Sequence, residues 1–194
     1  MIKLEEVGGG GHCGWLSVNR ALGSLVSNGS RQYLYEQMLN NKVPAYVVLS
    51  VLRQMYDMVE TPHDPVFIFM NQNKQNPGVR YVLEHPLEDG RTLYKETGVG
   101  VAAKTVSEWM AEFFLKGPEP LWLDEMWATL LNYTDLFRTH SLNLVLLAKY
   151  KNRYKVVPLK PLRRLDNCFF IYNTGANHWQ AVKLGKDYFV KLKN

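Results

Sequence analysis

An α+β domain is the fold class this sequence predicts, and three observations predict it. Apolar residues recur at helical spacing through the first part of the chain. From Leu142 onward the pattern changes to short strands separated by turns. The chain has 194 residues, 46% of them hydrophobic, which suits one core-bearing domain with room for an insertion. Helices first and an antiparallel-looking sheet last point to α+β, with a helical lobe on the N-terminal side packed on a mainly antiparallel sheet, or else to an α/β sandwich with such a sheet. Residues 1–194 are therefore read as a single domain.

Ile2 to Val7 is a short lead-in strand or coil. Residues 13–27 read as a helix with Trp15, Leu16, Val18, Ala21, Leu22, Leu25 and Val26 as its apolar residues. Ser27-Asn28-Gly29 ends it. Ser30 caps a second helix over 30–41, in which Tyr33, Leu34 and Met38 share a face. Pro44 opens a third, with Val47, Val48, Val51, Leu52 and Met55 on its apolar side.

Residues 61–104 are broken by Pro62, Pro65, Pro77 and Pro86. Val66–Met70 is expected as a strand and Asn71–Gly78 as a polar turn. Glu88-Asp89-Gly90-Arg91 is expected as a hairpin turn between Tyr81–Leu83 and Thr92–Tyr94. This stretch is read as a variable insertion or substrate-facing arm. Ser107–Leu115 is helical and stops at Gly117-Pro118. Asp124 caps a helix running to about Thr134. Strands are expected at Leu142–Ala148, Tyr154–Pro158, Cys168–Tyr172, His178–Leu184 and Tyr188–Lys191.

Composition excludes several classes. No apolar run reaches the ~18 residues of a membrane span. Residues 1–30 lack the basic start and apolar stretch of a signal peptide. Two cysteines make no disulfide framework, so a reducing, cytoplasmic compartment is expected. The net charge of +5 gathers late, from Lys149 onward. A solvated basic edge is the plain reading of it, and contact with nucleic acid or an acidic surface the sharper one.

The chemistry-bearing pattern is Gly10-Gly11-His12-Cys13-Gly14-Trp15 near the start, paired with Asn177-His178-Trp179-Gln180 near the end. A cysteine opening a helix is where a thiolate forms most easily, because unpaired N–H groups favour negative charge. Cys13 also follows glycines rather than sitting inside a periodic apolar face, which argues against a plain core role. Glycines let backbone amides approach a reacting carbonyl, so Gly10, Gly11 and the backbone of His12 are candidate oxyanion-hole elements. His178 opens a strand beside a turn, where a side chain is held firmly yet reaches a cleft.

Acyl transfer is the reaction this pair implies, with Cys13 as nucleophile and His178 as general base and acid. A third group should orient His178. Gln180 shares its face of the strand, and Asn177 and Asn173 are alternatives from the turn. Trp15 and Trp179 are placed either to wall a substrate channel or to fill the core. Cys168, in Cys168-Phe169-Phe170-Ile171, reads as a buried strand residue. No pair of ligands has zinc-finger spacing, no Gly-Lys-Ser/Thr follows the glycines, and no βαβ unit surrounds them. No cofactor or metal is expected.

These residues resemble the ovarian-tumour (OTU) cysteine proteases, most of which are deubiquitinases. Gly10-Gly11-His12-Cys13-Gly14-Trp15-Leu16 is similar to that family's nucleophile motif. Ile171-Tyr172-Asn173 followed by Asn177-His178-Trp179-Gln180-Ala181-Val182 is similar to its histidine motif. Leu121-Trp122-Leu123-Asp124-Glu125-Met126-Trp127, leading into Leu142–Leu147, is similar to the helix that feeds its central strand. The strong motifs cover about 20 residues. Gly10 stands where the family motif has Asp, and Gln180 where it usually has another acid or amide. Such divergence is similar to that of viral papain-like proteases and bacterial effector OTU enzymes.

The resemblance implies a papain-like, OTU-type fold and a monomer. It implies ubiquitin or a ubiquitin-like modifier as partner, with the modifier's tail threaded between Cys13 and His178. A viral or effector protein acting in host cytosol is the expected setting, with no membrane or nucleic-acid role. Competing readings are a viral polyprotein-processing protease, an inactive OTU-like scaffold, and a nucleic-acid module that would be indifferent to Cys13.

Overall fold

The fold is that of a computed structural model, which describes residues 1–85, 100–175 and 177–191. Eight α-helices and six strands are present among them, a mixed α+β architecture. The chain divides into two compact units, residues 1–34 with 117–194, and residues 35–116.

The first unit holds the sheet. Its strands are β1 (Ile2–Glu5), β2 (Leu142–Tyr150), β3 (Arg153–Pro158), β4 (Asn167–Asn173), β5 (Trp179–Leu184) and β6 (Val190–Lys191). Their order is β1-β5-β4-β2-β3, with β6 beside β4. Only the β2–β4 pair is parallel among the described pairings. Helix α1 (Cys13–Leu22) packs on β5 and β4, while α7 (Glu125–Asn132) and α8 (Asp135–Thr139) pack on β2. β2 is buried from Leu142 to Leu147, so its apolar run needs no alternation there. Beyond Ala148 the strand leaves the core and reads Lys149-Tyr150.

Two polar groups inside this unit are satisfied by the backbone they touch. Asn132 is fully buried. Its amide donates to the Leu144 carbonyl at 2.9 Å and accepts from the Leu144 N–H at 2.8 Å, pinning α7 to β2. Lys160 Nζ donates to the carbonyls of Asn132 and Leu142 at 2.9 and 2.7 Å. Burial pushes the Lys160 ammonium down to about 8.

The second unit is helical. α3 (Ala45–Asp57) packs on α4 (Pro65–Gln72), α5 (Pro77–Glu84) and α6 (Gly100–Met110). Val48, Val51, Leu52, Val79, Val82 and Val106 are all fully buried in it. A single wide turn over Ala111–Leu115 follows α6, closed by Lys116 N–H to the Ala111 carbonyl at 3.0 Å. α2 (Ser30–Leu39) spans the division between the units.

Expectations over residues 66–83 are corrected here. Of the expected turn Asn71–Gly78 only 73–76 lies between helices, Asn71 and Gln72 ending α4 and Pro77 and Gly78 opening α5. Val66–Met70 is helix α4 and not a strand, and Tyr81–Leu83 lies in α5 and not in a hairpin arm. The cause is the same in both. Asp64 and Asn76 each precede a proline, and each caps the helix that follows, Asp64 accepting from Val66 N–H at 2.8 Å and Asn76 from Gly78 N–H at 2.7 Å. The apolar run of α4 masks its short helical period. The expected turn at 88–91 and Thr92–Tyr94 lie outside the described residues. No helix among the described residues is long and apolar enough to cross a membrane.

Candidate active site

Residues 1–34 and 117–194 bring together the two ends of the chain that sequence pairs. β1 lies antiparallel to β5, with Glu5 opposite Ala181, so the residue after β1 emerges beside the start of β5. That residue is Glu6. β5 begins at Trp179, directly after His178, and α1 packs across it with Cys13 as its first residue.

The thiol of Cys13 is held by the backbone on either side of His178. Sγ donates to the Asn177 carbonyl at 3.7 Å and accepts from the Trp179 N–H at 3.3 Å. An N–H aimed at sulfur suits a sulfur anion. Cys13 is 1% exposed, and its thiol makes no hydrogen bond to the imidazole among the described residues. The left-handed backbone of Asn177, φ 56°, turns its carbonyl toward the thiol.

His178 is oriented by Glu6, a residue that sequence reasoning misses. Nε2 lies 2.9 Å from Oε2 and 3.2 Å from Oε1 of Glu6. Gln180 Nε2 donates to Oε1 of the same carboxylate. Gln180, with His178 beside it, holds the Glu6 carboxyl below its ordinary value. An ionised carboxylate only accepts, so Nε2 carries the ring proton and Nδ1 is left as the basic nitrogen. Of the expected orienting residues, Gln180 acts on Glu6 and Asn177 contributes its carbonyl to Cys13. Asn173 Oδ1 accepts from Gly175 N–H at 2.7 Å and so shapes the turn instead. A lone acid in the lead-in strand carries no signal of its own, because the β1–β5 pairing alone makes it a neighbour of His178.

The glycine loop leaves the helix start open. His12 occupies the N-cap position of α1 without a side-chain cap, and the first turn has no acidic residue. Gly10 and Gly11 have φ of 72° and 87°. A Cβ on Gly11 would sit 2.6 Å from the Pro120 Cβ, so the loop lies flush against the segment before α7. Gly14 meets that segment too, since a Cβ there would collide with Leu123 and come within 3.1 Å of Trp179 Cδ1.

That segment is pinned by two indoles. Trp15 Nε1 donates to the Leu121 carbonyl and Trp179 Nε1 to the Leu123 carbonyl, each at 2.8 Å. Both rings are buried, so Trp15 and Trp179 are core pillars and not channel walls. The exposed aromatic here is Trp122, between the two accepting residues and 49% exposed. Its backbone N–H and carbonyl have no partner among the described residues. Asp124 closes the segment by accepting from Trp127 N–H at 2.9 Å, and burial pushes its carboxyl up to about 6. Cys168 is buried in β4, and burial pushes its thiol up, the environment of an inert cysteine.

Among the described residues no group of three or more His, Cys, Asp and Glu side chains could hold a metal ion. Comparison with protein-family models, curated proteins and solved structures gave no match for this chain.

Proposed function

We propose that this chain is a cysteine hydrolase of papain-like, OTU type that cleaves a peptide or isopeptide bond after the C-terminal tail of ubiquitin or a ubiquitin-like modifier. The observation that carries the reading is the meeting of Cys13, at an uncapped helix start, with the strand that presents a Glu6-oriented His178. The modifier as substrate rests on the motif resemblance alone.

In the reaction the thiol proton passes from Sγ to Nδ1 of His178, which requires the thiol to turn away from the Asn177 carbonyl. Such bonds are often made only in the substrate complex. The sulfur then forms a C–S bond to the acyl carbon. The resulting oxyanion is met by backbone N–H groups of Cys13 and the glycine loop. The imidazolium returns its proton to the leaving amine as the C–N bond breaks. Water, deprotonated by His178, displaces the thiolate and releases the carboxylic acid. Glu6 stabilises the imidazolium throughout and keeps Nδ1 as the exchanging atom. Trp122 offers the substrate its exposed ring, beside a backbone N–H and carbonyl that have no partner among the described residues. A reducing host cytosol, the setting of a viral or effector protein, would keep such a thiol active.

The burial of Cys13 and its bonds to backbone favour one second reading, an OTU-like scaffold in which the thiol merely ties α1 to β5. Reaction with a ubiquitin derivative bearing a C-terminal electrophile separates the two. A hydrolase forms a covalent adduct at Cys13, and a scaffold forms none.

A further inference from the structure

The positive charge of this protein comes from one short stretch. Residues 149–164 read Lys149-Tyr150-Lys151-Asn152-Arg153-Tyr154-Lys155-Val156-Val157-Pro158-Leu159-Lys160-Pro161-Leu162-Arg163-Arg164. Seven of the chain's 23 Lys and Arg lie there, and none of its 18 Asp and Glu. Outside the stretch, acids outnumber bases. A net charge of +5 is therefore a local property and not a general solubility bias.

The fold presents much of this charge on an open edge. β3 is the last strand of the sheet path, so one side of its backbone has no strand partner among the described residues. Every residue from Lys149 to Val156 is exposed. Lys151 and Asn152, with φ of 47° and 63°, make the two-residue turn that closes β2 onto β3. A lysine in left-handed backbone is disfavoured relative to glycine, yet it stands at the tip. Register pairs Tyr150 with Arg153, and Lys155 lies two residues further along the same face. The Lys151 ammonium lies 5.3 Å from the centre of the Tyr150 ring, which is 64% exposed. On the opposite face Lys149 lies 5.9 Å from the ring of Tyr154.

We infer that the β2–β3 hairpin, through Tyr150, Lys151, Arg153 and Lys155, is a binding surface for single-stranded nucleic acid. An exposed ring among three cations offers a stacking face for a base with positive charge for the flanking phosphates. A basic edge whose task is only to prevent strand pairing needs charge but no tyrosine exposed among the cations. A folded acidic partner needs no stacking face either. The expectation of no nucleic-acid role follows from the protease resemblance, whereas the late clustering of charge already allows contact with nucleic acid. The surface is independent of the proposed hydrolase chemistry, because among the described residues none of the four contacts Cys13, Glu6 or His178.

The test is fluorescence anisotropy of a labelled oligouridylate of about 20 nucleotides, long enough to span one such site. It is titrated with the full chain over a series of salt concentrations. The wild type is expected to bind saturably, with affinity falling steeply as salt rises. Tyr150→Ala should weaken binding about 5-fold or more with the salt slope unchanged, and Tyr150→Phe should restore it. Arg153→Ala with Lys155→Ala should flatten the salt slope by about 1.4. Cys13→Ala should bind as the wild type does. Absence of saturable binding at low salt would overturn the inference. So would a Tyr150→Ala protein, folded by circular dichroism, that binds as well as the wild type. Tighter binding to polyglutamate or to phosphatidylserine vesicles than to the oligonucleotide would overturn it as well.

Discussion

Nε2 of His178 lies 2.9 Å from Oε2 of Glu6, although 172 positions separate the two residues in the chain. The contact exists because β1 and β5 are antiparallel neighbours, and it decides which imidazole nitrogen is free. Replacing the carboxylate by an amide keeps an acceptor for Nε2–H but removes the charge. Glu6→Gln should therefore lower kcat by roughly 10²-fold with KM little changed. A change in KM alone would assign Glu6 a different role.

The same pair should show in stability against pH. The folded Glu6 carboxyl titrates below its ordinary 4.5, so its contribution is present above that value and is lost as pH falls through the lowered one. Melting curves of wild type and Glu6→Gln should differ at neutral pH and converge in acid.

Asp124 should behave in the opposite sense. Its carboxyl is raised from 3.8 to about 6 by burial, so between these values the folded state holds the proton more tightly than the unfolded one. Stability should fall as pH rises through that window, by on the order of 2–3 kcal/mol. Asp124→Asn, which still caps α7, should be flat there in thermal unfolding.

Gly14 is a packing requirement, not a catalytic one. Gly14→Ala drives a methyl group into Leu123 and toward Trp179, and should destabilise by about 2–3 kcal/mol. Thermal unfolding should show a drop in Tm of several degrees.

Trp122→Ala should leave Tm within a degree or so, since the ring is half exposed, while raising KM about 10-fold for a modifier substrate. Steady-state kinetics on a ubiquitin C-terminal fluorogenic amide would check it.

The strands are legible in the sequence because each is a short run, apolar or alternating, bounded by turn residues. The five strands expected after Leu142 appear in place, with boundaries shifted by one or two residues for most of them. α1, α2, α3 and α7 are legible from period and caps. α4 misleads because Val66-Phe67-Ile68-Phe69-Met70 has no polar face, and only the Asp64 cap distinguishes it from a strand. Cys13 and His178 can be paired from motif chemistry. Glu6 cannot, because sheet register and not spacing makes it their neighbour. The tryptophans stay ambiguous in sequence for a similar reason: Trp15 and Trp179 flank the motif residues, and only the fold shows that their N–H groups point inward to Leu121 and Leu123, the core role of the two the sequence allows, while the exposed ring is Trp122.

The most direct measurement is covalent capture with ubiquitin carrying a C-terminal propargyl electrophile, on wild type, Cys13→Ala and His178→Ala, with the modified residue mapped by mass spectrometry. A stoichiometric adduct on Cys13 of the wild type, none with Cys13→Ala and slowed capture with His178→Ala is the predicted result. A folded wild type that forms no adduct, or one labelled equally well without Cys13, would contradict the account.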